Sequence, residues 1–302
     1  MLGRPRGPGS FGDAVGRLAA LALLSATVVT GCSDIPAALT QLVDARQRAS
    51  ELHVEFTKAA DASNRAVMAD TDDASAAAAD DARKARQLVE RNLEALKPLL
   101  DSLGSRDDLR YFEGFSGRFA EYRKLDDEIL PLAVENSNLK AQRLSFGAGR
   151  EAADAVRTAL DAVVRSSPTP ARTRAETLAA RVRIGVLEVQ VLQAPHIAEP
   201  EDREMTRLED NMSTAAGAAR KALEELQATV PAGAASQLAA AGLALNRFME
   251  VNAELVKLSR RNSNVRSLAL SLGRKRTLTA ECEDQLRALE EALAGHEFTA
   301  TR

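Results

Sequence analysis

Few side chains in this sequence carry reactive chemistry, and their spacing limits what that chemistry can be. The 302 residues include two cysteines, Cys32 and Cys282, and three histidines, His53, His196 and His296. The histidines are widely separated: His53 reads as a helix-flank residue, His196 as part of a proline-bordered loop, and His296 lies near the tail. None belongs to an HExxH pair, and no CxxCH is present to attach haem. The Glu and Glu-x-x-His ligands of a di-iron bundle are missing, as is a glycine-rich phosphate loop. Carboxylates are plentiful, as in Asp126-Asp127-Glu128 and Glu290-Glu291. On mixed-charge helices, however, such groups serve as solvated faces or intrahelical partners far more often than as acid–base pairs. No convergent nucleophile, base, metal site or cofactor cradle is legible, so the expectation is a non-catalytic protein without cofactor or metal. Cys282 falls in an apolar helical stripe, which predicts a packed small side chain rather than a reactive thiol.

Cys32 has a different setting. Residues 1–17 carry Arg4, Arg6 and Arg17, Leu18–Val29 is an uncharged apolar stretch, and Val29-Thr30-Gly31-Cys32 follows. A basic segment, a short apolar segment and small residues before a cleavage point make an export signal, 1–31; the apolar part is shorter than the ~20 residues that span a bilayer comfortably. The tetrapeptide resembles a bacterial lipobox, an aliphatic residue and two small residues before the cysteine to be modified. That resemblance implies a lipoprotein whose Cys32 sulfur carries diacylglycerol. More than one acyl chain, palmitate included, would hold it stably where a single chain binds reversibly. The alternative is an ordinary secretory signal with a cysteine near its cleavage point. Ser33 follows the cysteine and Asp34 comes only after it, which implies the outer membrane, facing the periplasm, if the source has two membranes.

The elements behind these residues read as helices. Alanine is abundant, Trp is absent and Tyr occurs twice, a composition that suits close-packed helices better than a sandwich or barrel. The formal charge of −3 becomes about −5 without the leader, and with no basic stripe nucleic acid is not an expected partner. From residue 36 apolar residues recur at three and four. The first stripe is Leu39, Leu42, Ala45, Ala49, Leu52, Phe56 and Ala59; Thr71 caps a second helix that Gly104 ends; Ser105 and Asp108 open a third, with Phe112, Phe115, Phe119, Tyr122 and Ile129 on one face. Pro131 should bend or break that helix. Leu139, Phe146, Ala153, Val156, Leu160 and Val163 form a further stripe, and Ser166–Pro170 reads as a linker. Helices over 170–192, 200–229, 232–260 and 261–294 are predicted beyond it, with Ala194–Pro200 as a break.

The second half repeats the first. Asn136-Ser-Asn-Leu-Lys-Ala-Gln-Arg-Leu-Ser-Phe-Gly147 aligns with Asn262-Ser-Asn-Val-Arg-Ser-Leu-Ala-Leu-Ser-Leu-Gly273, and the same register holds without a gap on both sides. It places Tyr122 on Phe248, Leu160 on Leu286, and Val156 on Cys282. The repeats, 32–165 and 166–302, predict an all-α protein: a tandem or elongated duplicated four-helix bundle with long antiparallel helices. In the elongated form Asn136 and Asn262 lie inside continuous helices, and a seam of Val265, Leu268, Leu272, Thr279, Cys282, Leu286, Leu289 and Leu293 faces inward. The paired polar positions Asp126 and Asn252, and Asn136 and Asn262, fall near the inward face. They are candidates either for contacting a polar ligand or for fixing helix register. Gly147 and Gly273 are read as sites of close helix approach.

The second and third helices, the NSN segment and the following Leu-Ser-Phe/Leu-Gly stretch resemble the four-helix-bundle ligand-binding domains of bacterial methyl-accepting chemotaxis receptors, over most of residues 34–297. The resemblance implies an extracytoplasmic bundle that binds a solute or a partner. It supplies no ligand-binding residue. Those receptors add flanking transmembrane helices and a cytoplasmic signalling coiled coil, so the expectation for this chain is a detached bundle unable to signal inward alone. The expected role is a sensory or accessory binding lipoprotein; the alternative is a structural envelope lipoprotein that binds another envelope protein. The expected partners are membrane lipid through acylated Cys32, and a small-molecule ligand or an envelope protein.

Overall fold

The computed structural model describes residues 34–296, so the leader 1–31 and Cys32 lie outside the described residues. Helix α1 (Asp34–Met68) turns into α2 (Asp72–Leu103), and α3 (Arg106–Glu135) leads through α4 (Ser137–Leu144) and a π-helical turn, Ser145–Gly149, into α5 (Arg150–Ser166). The second half repeats this order with α6 (Thr169–Ala198), α7 (Asp202–Thr229), α8 (Ala235–Arg261), α9 (Ser263–Leu270), a π-helical turn at Ser271–Lys275, and α10 (Arg276–Ala294). No strand occurs among the described residues. The protein is all-α.

Local chemistry sets the ends. The Thr71 hydroxyl accepts from the Ala74 amide at 3.2 Å and opens α2, and Gly104 takes the left-handed conformation (φ 69°) that closes it. Ser105 caps α3 by accepting from the Asp108 amide. Pro131 does not break α3, which runs on to Glu135, and α6 runs through Pro195 to Ala198. A long helix held by packing absorbs one missing amide. The breaks fall instead at Asn136 and Asn262, with φ of 51° and 52°. Asparagine tolerates that region better than other residues bearing a Cβ.

The elongated form is the one adopted. α3–α4–α5 and α8–α9–α10 are two kinked rods of some 60 residues, about 90 Å long at 1.5 Å per residue. They pack antiparallel, α3 on α9 and α10, α4 and α5 on α8. The α1–α2 hairpin covers one end and the α6–α7 hairpin the other. One core joins α1, α2 and α3 with α10 through residues such as Phe56, Leu96, Phe115, Cys282 and Leu289. The other joins α5 to α8 through Val156, Leu160, Val182, Met212 and Phe248. Each bundle therefore takes its fourth helix from the other repeat: α10 completes the first and α5 the second. The segments 32–165 and 166–302 are units of sequence duplication, and the packing units differ from them by this exchange.

The π-helical turns shift the phase of the apolar pattern. Upstream of Arg276 the inward positions are Ser263, Ser267, Ser271 and Lys275, and downstream they are Leu278, Cys282, Leu286, Leu289 and Leu293. One extra residue in the turn rotates the helix by about 100°, so a seam read at constant spacing loses its place. Leu272 and Phe146 accordingly stand largely exposed, and Leu268 and Leu39 are partly exposed. Gly147 and Gly273 sit within the turns and face open space, not a neighbouring helix. Close approach occurs elsewhere: a Cβ on Gly185 would stand 2.7 Å from the Ala215 carbonyl oxygen.

Candidate functional site

The centre of the first bundle holds charges where a helical core normally holds hydrocarbon. Asp126 on α3 and Lys275 at the end of the second π-helical turn are fully buried, with Lys275 Nζ 3.3 Å from Asp126 Oδ1. Lys275 also donates to Ser63 Oγ on α1, and Ser63 donates in turn to Asp126 Oδ1. Arg86 on α2 donates to Asp126 Oδ2 at 3.2 Å and reaches Asp127 at the surface. The ammonium stands 5.5 Å from the centre of the Tyr122 ring, itself packed edge-on against Phe56. Burial pushes the Lys275 ammonium down, opposed by Asp126, and pushes the Tyr122 phenol well above its usual value with further help from Asp126.

This cluster is absent from the second bundle, although the fold there is the same. The positions matching Ser63, Arg86, Tyr122, Asp126 and Lys275 are Val189, Met212, Phe248, Asn252 and Gly149. Asn252 accepts from Gln193 at 2.9 Å, and Gln193 accepts from Ser145. A neutral amide chain thus occupies the place of the ionic one. Burying charges seldom adds net stability. Since the duplicate does without them, the helix packing does not require them.

A groove of about 490 Å³ opens between α1 and α9–α10 beside Lys275. Val67, Met68, Leu268 and Leu272 supply its apolar wall; Asn64, Ser271, Lys275, Arg276, Thr279 and Glu283 supply polar groups. The second bundle has the matching groove between α5 and α6, about 370 Å³, with Gln190, Arg150, Ala153, Asp154 and Arg157 in the places of Asn64, Arg276, Thr279, Ala280 and Glu283. Concave spaces with an apolar wall and a few convergent polar groups are where small ligands bind. Only the first is backed by a buried ionic cluster.

Asn136 and Asn262 lie elsewhere, at the middle of the molecule, where the two NSN segments bind one another. The Ser137 amide donates to Ser263 Oγ at 2.9 Å and the Ser263 amide to Ser137 Oγ at 3.0 Å. Asn138 and Asn264 exchange amide-to-Oδ1 bonds of 3.1 Å. Their side chains then donate to Asn262 Oδ1 and Asn136 Oδ1, both at 2.8 Å. This reciprocal set satisfies the backbone amides exposed by the two left-handed kinks and allows one axial alignment of the rods. The four predicted polar positions are thus not one site: Asp126 belongs to the first bundle, Asn252 to the second, and the asparagine pair to the junction.

Beside the junction, His196 is fully buried in α6 and not in a loop. Its Nδ1 lies 2.8 Å from Ser259 Oγ and its Nε2 2.8 Å from Glu209 Oε1. The connectivity is that of a nucleophile, base and acid. Ser259 is fully buried, however, and its hydroxyl also donates to the His196 carbonyl. Glu209 is bound by Arg260, which with His196 holds its carboxyl below the usual value. These contacts tie α6, α7 and α8 together. Cys282 packs in the first core, where burial pushes its thiol up to about 12.

Lys275, Ser63 and Arg86 escape a search for motifs because they come from three helices far apart in sequence. The aligned repeats carry the one signal that finds them, a Lys against Gly149 and an Arg against Met212. Among the described residues no group of His, Cys, Asp and Glu is placed to hold a metal ion, and no helix is long and apolar enough to cross a membrane. Compared with known proteins, the chain matches no family model and no curated sequence.

Proposed function

We propose that this protein is a lipid-tethered, non-catalytic binding protein of a bacterial envelope, with the groove beside Lys275 as its receptive site. The observation that carries the reading is the Lys275–Asp126 cluster, present in one copy of a duplicated fold and replaced in the other. Lys275 sits at the end of a π-helical turn, a feature frequent at functional sites, and lines a groove of ligand size. The lipobox-like Val29–Cys32 supports the tether, and the likeness to chemotaxis-receptor sensor domains supports a solute as occupant.

A thermal melt of the protein across a panel of small polar metabolites tests the reading. A binding solute should raise the melting temperature of the wild type, and Ala280→Trp, which fills the groove from its rim, should abolish the rise. No shift with any solute, or a shift that survives Ala280→Trp, would oppose it. For the tether, mass spectrometry should find acyl chains on Cys32, and Cys32→Ser should release the protein from the membrane. Soluble, unmodified wild type would reject that part. The second reading, an envelope scaffold, is favoured by the shape: two antiparallel rods locked at their midpoint suit a spacer.

A further inference from the structure

The second bundle carries a surface that the first lacks, separate from the groove beside Lys275. On α6, Ile184, Leu187 and Val191 are 53%, 57% and 71% exposed. Val182, Val186 and Val189 of the same helix are buried, so apolar residues occupy both the inner face and an outer stripe of its middle, with Arg181, Arg183, Glu188 and Gln190 between them, and an exposed apolar stripe of this kind normally has cover. The fold does not demand it. The matching positions on α1 are Lys58, Asp61 and Arg65, which are solvated and paired with nearby charges. Equivalent helices in equivalent hairpins thus present charge in one bundle and hydrocarbon in the other.

The stripe is a ridge between two grooves. On one side the α6–α7 groove, about 480 Å³, is walled by Ile184, Leu187, Val191 and Ala215. On the other, Leu187 borders the α5–α6 groove, which is lined by Arg150, Arg157 and Arg183; Asp154 in the lining pairs with Arg157, and Asp161 beside it pairs with Arg183. Arg150 forms no ion pair among the described residues, which leaves the three arginines one charge in excess of Asp154 and Asp161; Arg183 gives Nη2 to Asp161, while its Nε is buried without a hydrogen-bond partner. The places of Arg157 and Arg183 in the first bundle are held by Glu283 and Thr57, so these two arginines belong to the second bundle alone, whereas Arg150 is matched by Arg276.

We propose that this ridge and its flanking grooves dock an acidic amphipathic helix of a partner protein. Anchors spaced at i, i+3 or i+4 and i+7 match the spacing of Ile184, Leu187 and Val191, and carboxylates on one flank meet the arginines of the α5–α6 groove. Three half-exposed side chains fall well short of the ~800 Å² per partner of a standard stable interface, which favours one helix with charge contacts over a second copy of this chain. The concavity on both sides suits a helix better than a bilayer surface.

The test uses the full chain carrying Cys32→Ser, which removes any acyl anchor, and two designed helical peptides. Both present the same leucine face, one with a glutamate flank and one with a lysine flank, and fluorescence anisotropy reads their binding. The acidic peptide should bind roughly tenfold or more tightly than the basic one, and Arg150→Glu with Arg157→Glu should reverse the order. The triple variant Ile184→Lys, Leu187→Asp, Val191→Arg installs residues the first bundle already uses at these places. It should keep its melting temperature and lose at least about tenfold in affinity. Equal binding of the two peptides, or binding unchanged in the triple variant, would overturn the proposal. So would a wild-type dimer in sedimentation that the triple variant dissociates, or binding to phosphatidylglycerol vesicles that the triple variant abolishes; these results would assign the face to a second copy or to a membrane. None of them bears on the groove beside Lys275.

Discussion

Asp126 and Lys275 are buried against each other, and this makes their energetics asymmetric. Removing one partner strands a buried charge, whereas removing both leaves only Arg86, which keeps Asp127 as its partner at the surface. Asp126→Asn alone is expected to cost about 3 kcal/mol or more, and combining it with Lys275→Gly should cost less than the two single changes summed. Denaturant unfolding of the four species gives the coupling, and strict additivity would mean that the two side chains do not depend on one another. Glu209 makes a different prediction. Its folded value lies below the ordinary 4.5 because Arg260 and His196 bind the carboxylate, so its contribution is present above that pH and is lost as pH falls through the folded value. Glu209→Gln should therefore melt lower than wild type near neutrality and show a shallower loss on acidification below about pH 4.5, as followed by circular dichroism. Parallel acid limbs would disprove the linkage.

Among the helices, α6 and α7 approach one another closely, backbone to backbone, at Gly185. Gly185 lets the Ala215 carbonyl and the Ala219 methyl lie where a side chain would be, at 2.7 and 2.9 Å from an ideal Cβ. Gly185→Ala is expected to destabilise by about 1–3 kcal/mol through overpacking. Gly217, exposed on α7 with nothing near its Cβ position, serves as the control: Gly217→Ala should stabilise by roughly 0.5–1 kcal/mol through helix propensity. The same sign for both in thermal unfolding would refute the packing account. The π-helical turns matter at this scale too. By rotating each rod by one residue, they bring Lys275 to the core and leave Leu268 and Leu272 outside.

The whole molecule is held together by exchange. Because α10 completes the first bundle and α5 the second, neither half of the chain has its own fourth helix in place. Residues 34–165 and 166–296, expressed separately, should each melt without a sharp cooperative transition, and mixing them should restore one. Two independently cooperative halves, with no gain on mixing, would show that each repeat closes its own bundle. The exchange also joins the groove of one bundle to the arginine-rimmed ridge of the other through two shared rods pinned at the NSN segments.

Local rules made much of this readable in the residues themselves. Spacing at three and four determined the helices; Thr71, Gly104 and Ser105 determined their ends; and a gapless repeat determined that the molecule would be built twice. Each of these depends on neighbours a few positions away, or on a register that can be counted. Which repeat supplies each fourth helix was decided by tertiary packing, since the apolar stripes of α5 and α10 match and do not distinguish the two bundles in the sequence. So was the convergence of Ser63, Arg86, Asp126 and Lys275, drawn from four helices, because a buried charge is stable only where its partners arrive in space. Pro131 and Pro195 show the same division: a missing amide is a local cost, and packing along a long helix outweighed it.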